Sequence, residues 1–251
     1  MSCDGCRDGN EIDFDFTMAF QPIVDIKAQK VWGYEALVRG MSGEPAPTVL
    51  SRVTDQTKYS FDQRCRVKAI ELAARLMPAD CILSINFMPN AVYEPRACIR
   101  TTLVAAAQSG FDLRRINFEF TESERVTDPA HLQGIIAEYQ RQGFLTAIDD
   151  FGAGYAGLNL LASFTPDIVK IDMGLVRDID SDFTKRAIVR GVTSICRDLG
   201  ISVLAEGIET DGELHVLMDL GANLMQGYLF ARPELETMPK VTFSETLVAA
   251  Q

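Results

Sequence analysis

Two adjacent aspartates, Asp149 and Asp150, close a short apolar run and open straight into a glycine loop in the stretch TAIDDFGAGYAG. Neighbouring carboxylates repel, so the pair calls for a compensating positive charge. Similar groups end other short apolar runs: Glu35 in YEALVRG, Glu119 and Glu122 in FEFTE, and Glu206 and Glu209 in AEGIE. Asn86 in SINFMPN and Gln226 in MQGY add amide oxygens, and Lys170 in VKID adds one cation. Each of these alone reads as a solvated turn, a helix cap or a surface charge. Together they form an oxygen-rich donor set without histidine, because His131 and His215 fall on helical periodicity and read as surface residues. Hard oxygen donors favour Mg²⁺ or Mn²⁺ over zinc, with Ca²⁺ as a non-catalytic occupant. Adjacent aspartates suit a two-cation site in which one carboxylate bridges while its neighbour reaches the second ion, an arrangement used for displacement at phosphorus.

The glycines raise a different possibility, a phosphate cradle. GAGYAG matches G-x-G-x-x-G at Gly152, Gly154 and Gly157, and Asp172 stands about 20 residues on, where a dinucleotide fold places its ribose-binding acid. The aspartates ahead of the loop would oppose a pyrophosphate unless a metal intervened, so this match is weak. No G-x-x-x-x-G-K-[ST] loop accompanies it.

The elements that must position these groups follow from periodicity. Short apolar runs at 19–26, 31–38, 81–86, 116–120, 144–149, 167–172, 201–206 and 223–230 read as strands. Helical patterns fill most of the gaps, among them FDQRCRVKAIELAARLM, DPAHLQGIIAEYQRQG and FTKRAIVRGVTSICRDLG, the last ending at a glycine stop. Eight strands alternating with helices suggest a (β/α)8 barrel, with a doubly wound open sheet as the alternative. Only KAQK separates the first two strands, too short for a parallel crossover, so these two are antiparallel or one bent strand. In such a barrel chemistry collects at the carboxyl ends of the strands, where the acids fall.

Composition bounds the function. The 251 residues carry 24 basic and 35 acidic side chains, a net charge of −11, which argues against gripping a DNA or RNA polymer. A small anionic substrate stays open, because bound cations can reverse the local field. Six cysteines form no dense framework and read as reduced thiols; CDGC at Cys3 and Cys6 has metal or redox spacing but no second pair. No signal peptide or membrane-length apolar run is visible, so a soluble, cytoplasmic protein without membrane contact is expected. Residues 1–13 read as a flexible leader and 14–251 as a single domain.

The motifs FQPIVD, EALVRG, SINFMPN, FEFTES, IDDFGAGY, VKID, AEGIET and QGYLFARP, in that order, resemble the EAL domain family of bacterial cyclic-di-GMP phosphodiesterases. The resemblance runs from about Ala19 to Pro233. It implies a modified TIM (β/α)8 barrel with one antiparallel strand, and two divalent cations, Mg²⁺ or Mn²⁺, with Ca²⁺ inhibitory. It implies Glu35, Asn86, Glu119 and Asp149 around a first cation, with Asp149 bridging and Asp150, Glu206 and Gln226 serving the second directly or through water. Lys170 matches the lysine that orients the attacking water, and Glu206 the proposed general base. Gln21, Leu37, Arg39 and Asp172 match substrate-binding positions, and Glu122 and Glu209 resemble acids that hold the DFGAG loop. The resemblance also suggests a homodimer through helices near that loop, around residues 174–199. The departures are a shortened segment after EALVRG and AGYAG where threonine and serines are commoner; neither touches a ligand position. An active hydrolase giving linear pGpG is the leading expectation. A silent cyclic-di-GMP receptor is the alternative. A barrel lyase using Lys170 as a Schiff base is disfavoured, since crowded acids would raise the lysine pKa.

Overall fold

The computed structural model describes residues 11–121, 128–154, 157–241 and 243. Cys3, Cys6 and Glu122 lie outside them. Strands β1 (Thr17–Asp25) and β2 (Lys30–Arg39) form an antiparallel hairpin, with Gln21 opposite Glu35 and Asp25 opposite Lys30. The short connection therefore does what its length demands. From β2 the sheet runs parallel through β3 (Ile82–Asn86), β4 (Ile116–Thr121), β5 (Leu145–Phe151), β6 (Ile168–Ile171), β7 (Ser202–Ala205) and β8 (Leu224–Met225). β8 then pairs antiparallel with β1 and closes the barrel. A ninth strand, β9 (Glu234–Leu235), adds to the outer edge of β1.

Helices cover the outside. They are α1 (Ala46–Leu50), α2 (Lys58–Leu76), α3 (Pro95–Cys98), α4 (Arg100–Ser109), α5 (Pro129–Arg141), α6 (Gly157–Ser163), α7 (Met173–Val176), α8 (Phe183–Leu199) and α9 (Asp211–Asp219). Their starts carry local chemistry. Asp128 accepts from the Ala130 and His131 amides ahead of α5, Asp182 does the same for α8, and Thr210 and Glu213 form a reciprocal capping box on α9.

The main core lies between strands and helices, while a small apolar layer of Ile23, Ala147, Ile168, Leu204 and Leu224 plugs the lower barrel interior. Ile12 is buried in the main core with Phe14. One expectation is corrected. The eighth strand, expected over 223–230, stops at Met225. There Gly227 passes so close to the β7 loop that a Cβ would meet the Ile208 carbonyl oxygen at 2.1 Å. The chain turns across that loop instead of extending the ladder.

Candidate active site

Strand register decides which side chains enter the barrel. Residues paired across neighbouring strands point to the same face. Gln21 is paired with Glu35, Asn86 with Glu119, and Thr121 with Asp149, so one parity carries the expected groups inward around the barrel mouth. β5 breaks register between Ile148 and Phe151, and Asp150 there adopts φ = +53°. This bulge lets both aspartates serve one site. Such irregularities concentrate beside functional sites, and the left-handed conformation of a non-glycine residue is costly to hold.

Lys170 sits at the centre, fully buried. Its Nζ lies 2.7 Å from Glu119 Oε2, 2.9 Å from Asp149 Oδ1, 2.9 Å from Glu206 Oε1 and 3.6 Å from Glu35 Oε2. Glu35 in turn accepts from Asn86 Nδ2 at 2.8 Å and Gln226 Nε2 at 2.9 Å. One cation thus faces four carboxylates. Burial, reinforced by Glu35 and Asp149 and only partly offset by Lys170, pushes Glu119 up to about 8. Glu206 is likewise raised well above the carboxylate range by burial. Burial and the adjoining Asp149 charge push Asp150 up to about 6. For Lys170 burial alone would favour the neutral amine, but Asp149, Glu119, Glu206 and Glu35 hold it well above its ordinary value.

The donor chemistry fits divalent cations. Oxygens of Glu35, Glu119 and Asp149 fall within 4.8 Å of one another, and so do those of Asp149, Asp150 and Glu206, with Asp149 common to both groups. Gln226 Oε1 is buried without a hydrogen-bond partner. An orphaned acceptor among excess carboxylates is costly as it stands and satisfied by a hard cation. A divalent ion among these oxygens would also reverse the raised acid pKa values.

The remaining expected residues sit around this centre. Gln21 lines a 220 Å³ cavity with Glu35, Asp150, Asp172, Glu206 and Tyr228. Asp172 caps α7 by accepting from the Gly174 amide. Leu37 lines a larger apolar hollow of 480 Å³ that Asn86 also borders. Arg39 ends β2, half-buried, and donates to the Val38 carbonyl. Both oxygens of Glu209 hold Arg177, in the turn after α7, at 2.7 Å. His131 and His215 lie on α5 and α9, away from these donor groups.

Sequence reasoning missed Asn117. It is fully buried and donates to Ser84 Oγ at 3.0 Å and Glu119 Oε1 at 2.8 Å, fixing Glu119 from the layer below. The signal was present, since Asn117 stands two residues before Glu119 on a strand and so shares its face.

Fold and site together define a closed barrel, mostly of parallel strands, with an acid-rich donor site at the strands' carboxyl ends. The chain belongs to the EAL domain family, which matches residues 11–233. It is similar to a standalone versatile EAL protein from Vibrio cholerae O395 solved in its c-di-GMP-bound form, with 52% identity and a TM-score of 0.90 over 96% of this chain and 100% of that one. A manganese/cy-diGMP complex of Klebsiella pneumoniae BlrP1 superposes with a TM-score of 0.84 at 35% identity, over 91% of this chain and 58% of that one. The probable cyclic di-GMP phosphodiesterase PdeN of Escherichia coli (strain K12) is 30% identical over 87% of this chain and 43% of its own length. The chain spans between 31% and 56% of the first curated relatives it matches. Among the described residues no helix is long and apolar enough to cross a membrane.

Proposed function

We propose that this chain hydrolyses one phosphodiester bond of cyclic-di-GMP to give linear pGpG, using two divalent cations, Mg²⁺ or Mn²⁺. The observation that carries this reading is the pair of oxygen-donor groups sharing Asp149 around a single buried lysine. Glu35, Asn86, Glu119 and Asp149 would hold the first cation, and Asp149, Asp150, Glu206 and Gln226 the second. Bound there, such ions supply a lowered water pKa and charge stabilisation on the phosphoryl oxygens.

The chain's own groups do the rest. Lys170 Nζ holds a fixed positive charge between Asp149 and Glu206, where it orients a water toward phosphorus. Glu206, 2.9 Å from Lys170 Nζ and so beside the water that the lysine orients, takes a proton from it; bound cations would keep its carboxyl ionised for that role. The phosphorus–O3′ bond breaks, the 3′ oxygen leaves with a proton, and the 5′-phosphate remains on the product. Gln21 and Asp172 meet the substrate on one side of the cavity, while Leu37 offers an apolar surface for a base and Arg39 a charge for phosphate. An Asp149→Ala chain that turns over normally would refute the shared-carboxylate assignment.

The test is incubation of purified protein with cyclic-di-GMP and Mn²⁺, followed by chromatography for pGpG. Tight binding without product in Mg²⁺ or Mn²⁺ would favour the receptor reading instead, and Ca²⁺ is expected to support binding but not turnover. The exposed apolar side chains Phe183, Ile188, Ile195 and Leu199 on α8, with Leu158 on α6, would serve a homodimer. Sedimentation of Phe183→Glu checks this: a wild-type dimer that the variant leaves intact would count against that face.

A further inference from the structure

Arg66 of α2 is fully buried outside the barrel, and no step above uses it. Its Nη2 lies 2.7 Å from Asp62 Oδ2, and its Nη1 donates to the Tyr139 hydroxyl at 2.7 Å. The guanidinium carbon lies between 5.1 and 5.7 Å from the ring centres of Phe118, Phe87 and Tyr139. A dry ion pair of this kind is weak evidence for stability, because well-packed apolar residues often do as well or better. What distinguishes this pair is what it holds. Asp62 Oδ1 accepts from the Met88 amide at 2.9 Å, and the Phe87 amide donates to the Glu119 carbonyl at 2.9 Å. The segment leaving β3 at Asn86 is therefore clamped on two successive amides. Phe118 and Phe120, on the opposite face of β4 from Glu119, pack against Phe87 at ring-centre distances of 5.9 Å. Arg66 thus stands behind the strand ends that deliver Asn86 and Glu119.

We propose that Asp62, Arg66 and Tyr139 are positioning residues for the first cation site, fixing the Asn86–Met88 turn against β4 so that Asn86 and Glu119 converge. This rests on the functional reading above. Supporting partners behind metal ligands commonly set affinity by tenfold or more when removed. The pair Asp62→Leu with Arg66→Met removes both buried charges together, avoiding the cost of leaving one unpaired, and Tyr139→Phe removes only a hydroxyl. Each is compared with wild type by Mn²⁺ titration calorimetry, thermal melting and hydrogen exchange at the Met88 amide.

The double variant is expected to melt near or above wild type, exchange Met88 faster, and bind its tightest Mn²⁺ about tenfold more weakly; Tyr139→Phe shifts affinity the same way by a smaller factor. Unchanged Mn²⁺ affinity in either folded variant overturns the proposal while leaving the functional reading intact. If the double variant does not fold, Tyr139→Phe decides by the same readouts. A wild type that binds no Mn²⁺ overturns the functional reading and this inference with it.

Discussion

At Lys170 two opposing effects meet. Removing an ammonium from water is costly, yet the residue is enclosed by carboxylates that repel one another without it. Lys170→Met should therefore destabilise the metal-free protein by about 3 kcal/mol, the usual cost of stripping one partner from a buried ionic group. Mn²⁺ should restore much of that loss in a melting experiment while turnover stays abolished; a variant as stable as wild type without metal would contradict the role given to the lysine. The acids and Lys170 were legible in the sequence because polar residues ending apolar runs stand out. Asn117 was marked only by its two-residue spacing from Glu119, because a neutral amide within a strand does not end an apolar run. The Arg177 partner of Glu209 was hidden for another reason: their 32-residue separation in sequence is closed only by the β6–β7 crossover.

The element that links the two acid loops is α7. Leu175 lies against Gly152 in the loop after Asp150, and Met173 lies against Gly207 just after Glu206. Gly207 has φ = +70°, and a Cβ there would come within 2.5 Å of the Met173 Cβ. Gly207→Ala forces either α7 or the Glu206 loop to move, and small displacements of catalytic groups are expensive in rate. It should lower kcat about tenfold or more while the protein remains folded, measured by steady-state turnover with Mn²⁺. Wild-type kcat in that variant would show that α7 does not set the loop. Strand positions were readable from periodicity, and the antiparallel start from the length of KAQK. The truncation of β8 was not, because it arises from the close crossing at Gly227, a contact between distant segments. The two-residue β9 is too short to give any periodic signal.

For the whole molecule, the excess of buried acid makes stability depend on pH. Glu119, with a folded pKa of about 8, and Asp150, at about 6, bind protons more tightly folded than unfolded. Their contribution is fully present below the unfolded carboxylate range and is lost as pH rises through those folded values. The raised Lys170 pKa acts only at more alkaline pH, and the lowered Asp112 and Glu138, each at about 2, only in acid. The metal-free protein should consequently melt at a lower temperature at pH 8 than at pH 5.5, and Mn²⁺ should raise the melting temperature more at pH 8, where protons no longer compete. A metal-free melting temperature that climbs steadily from pH 5.5 to 8 would contradict the burial of these acids. The barrel as a whole was legible because alternation of strands and helices is a long-range pattern that tertiary contacts do not override. The most direct measurement is a Mn²⁺ reaction with cyclic-di-GMP in ¹⁸O-labelled water, run on wild type and Asp149→Asn. A two-cation hydrolase yields pGpG with one labelled oxygen on its 5′-phosphate from wild type and no product from the variant. Intact cyclic-di-GMP with wild type, or equal turnover by Asp149→Asn, would contradict it.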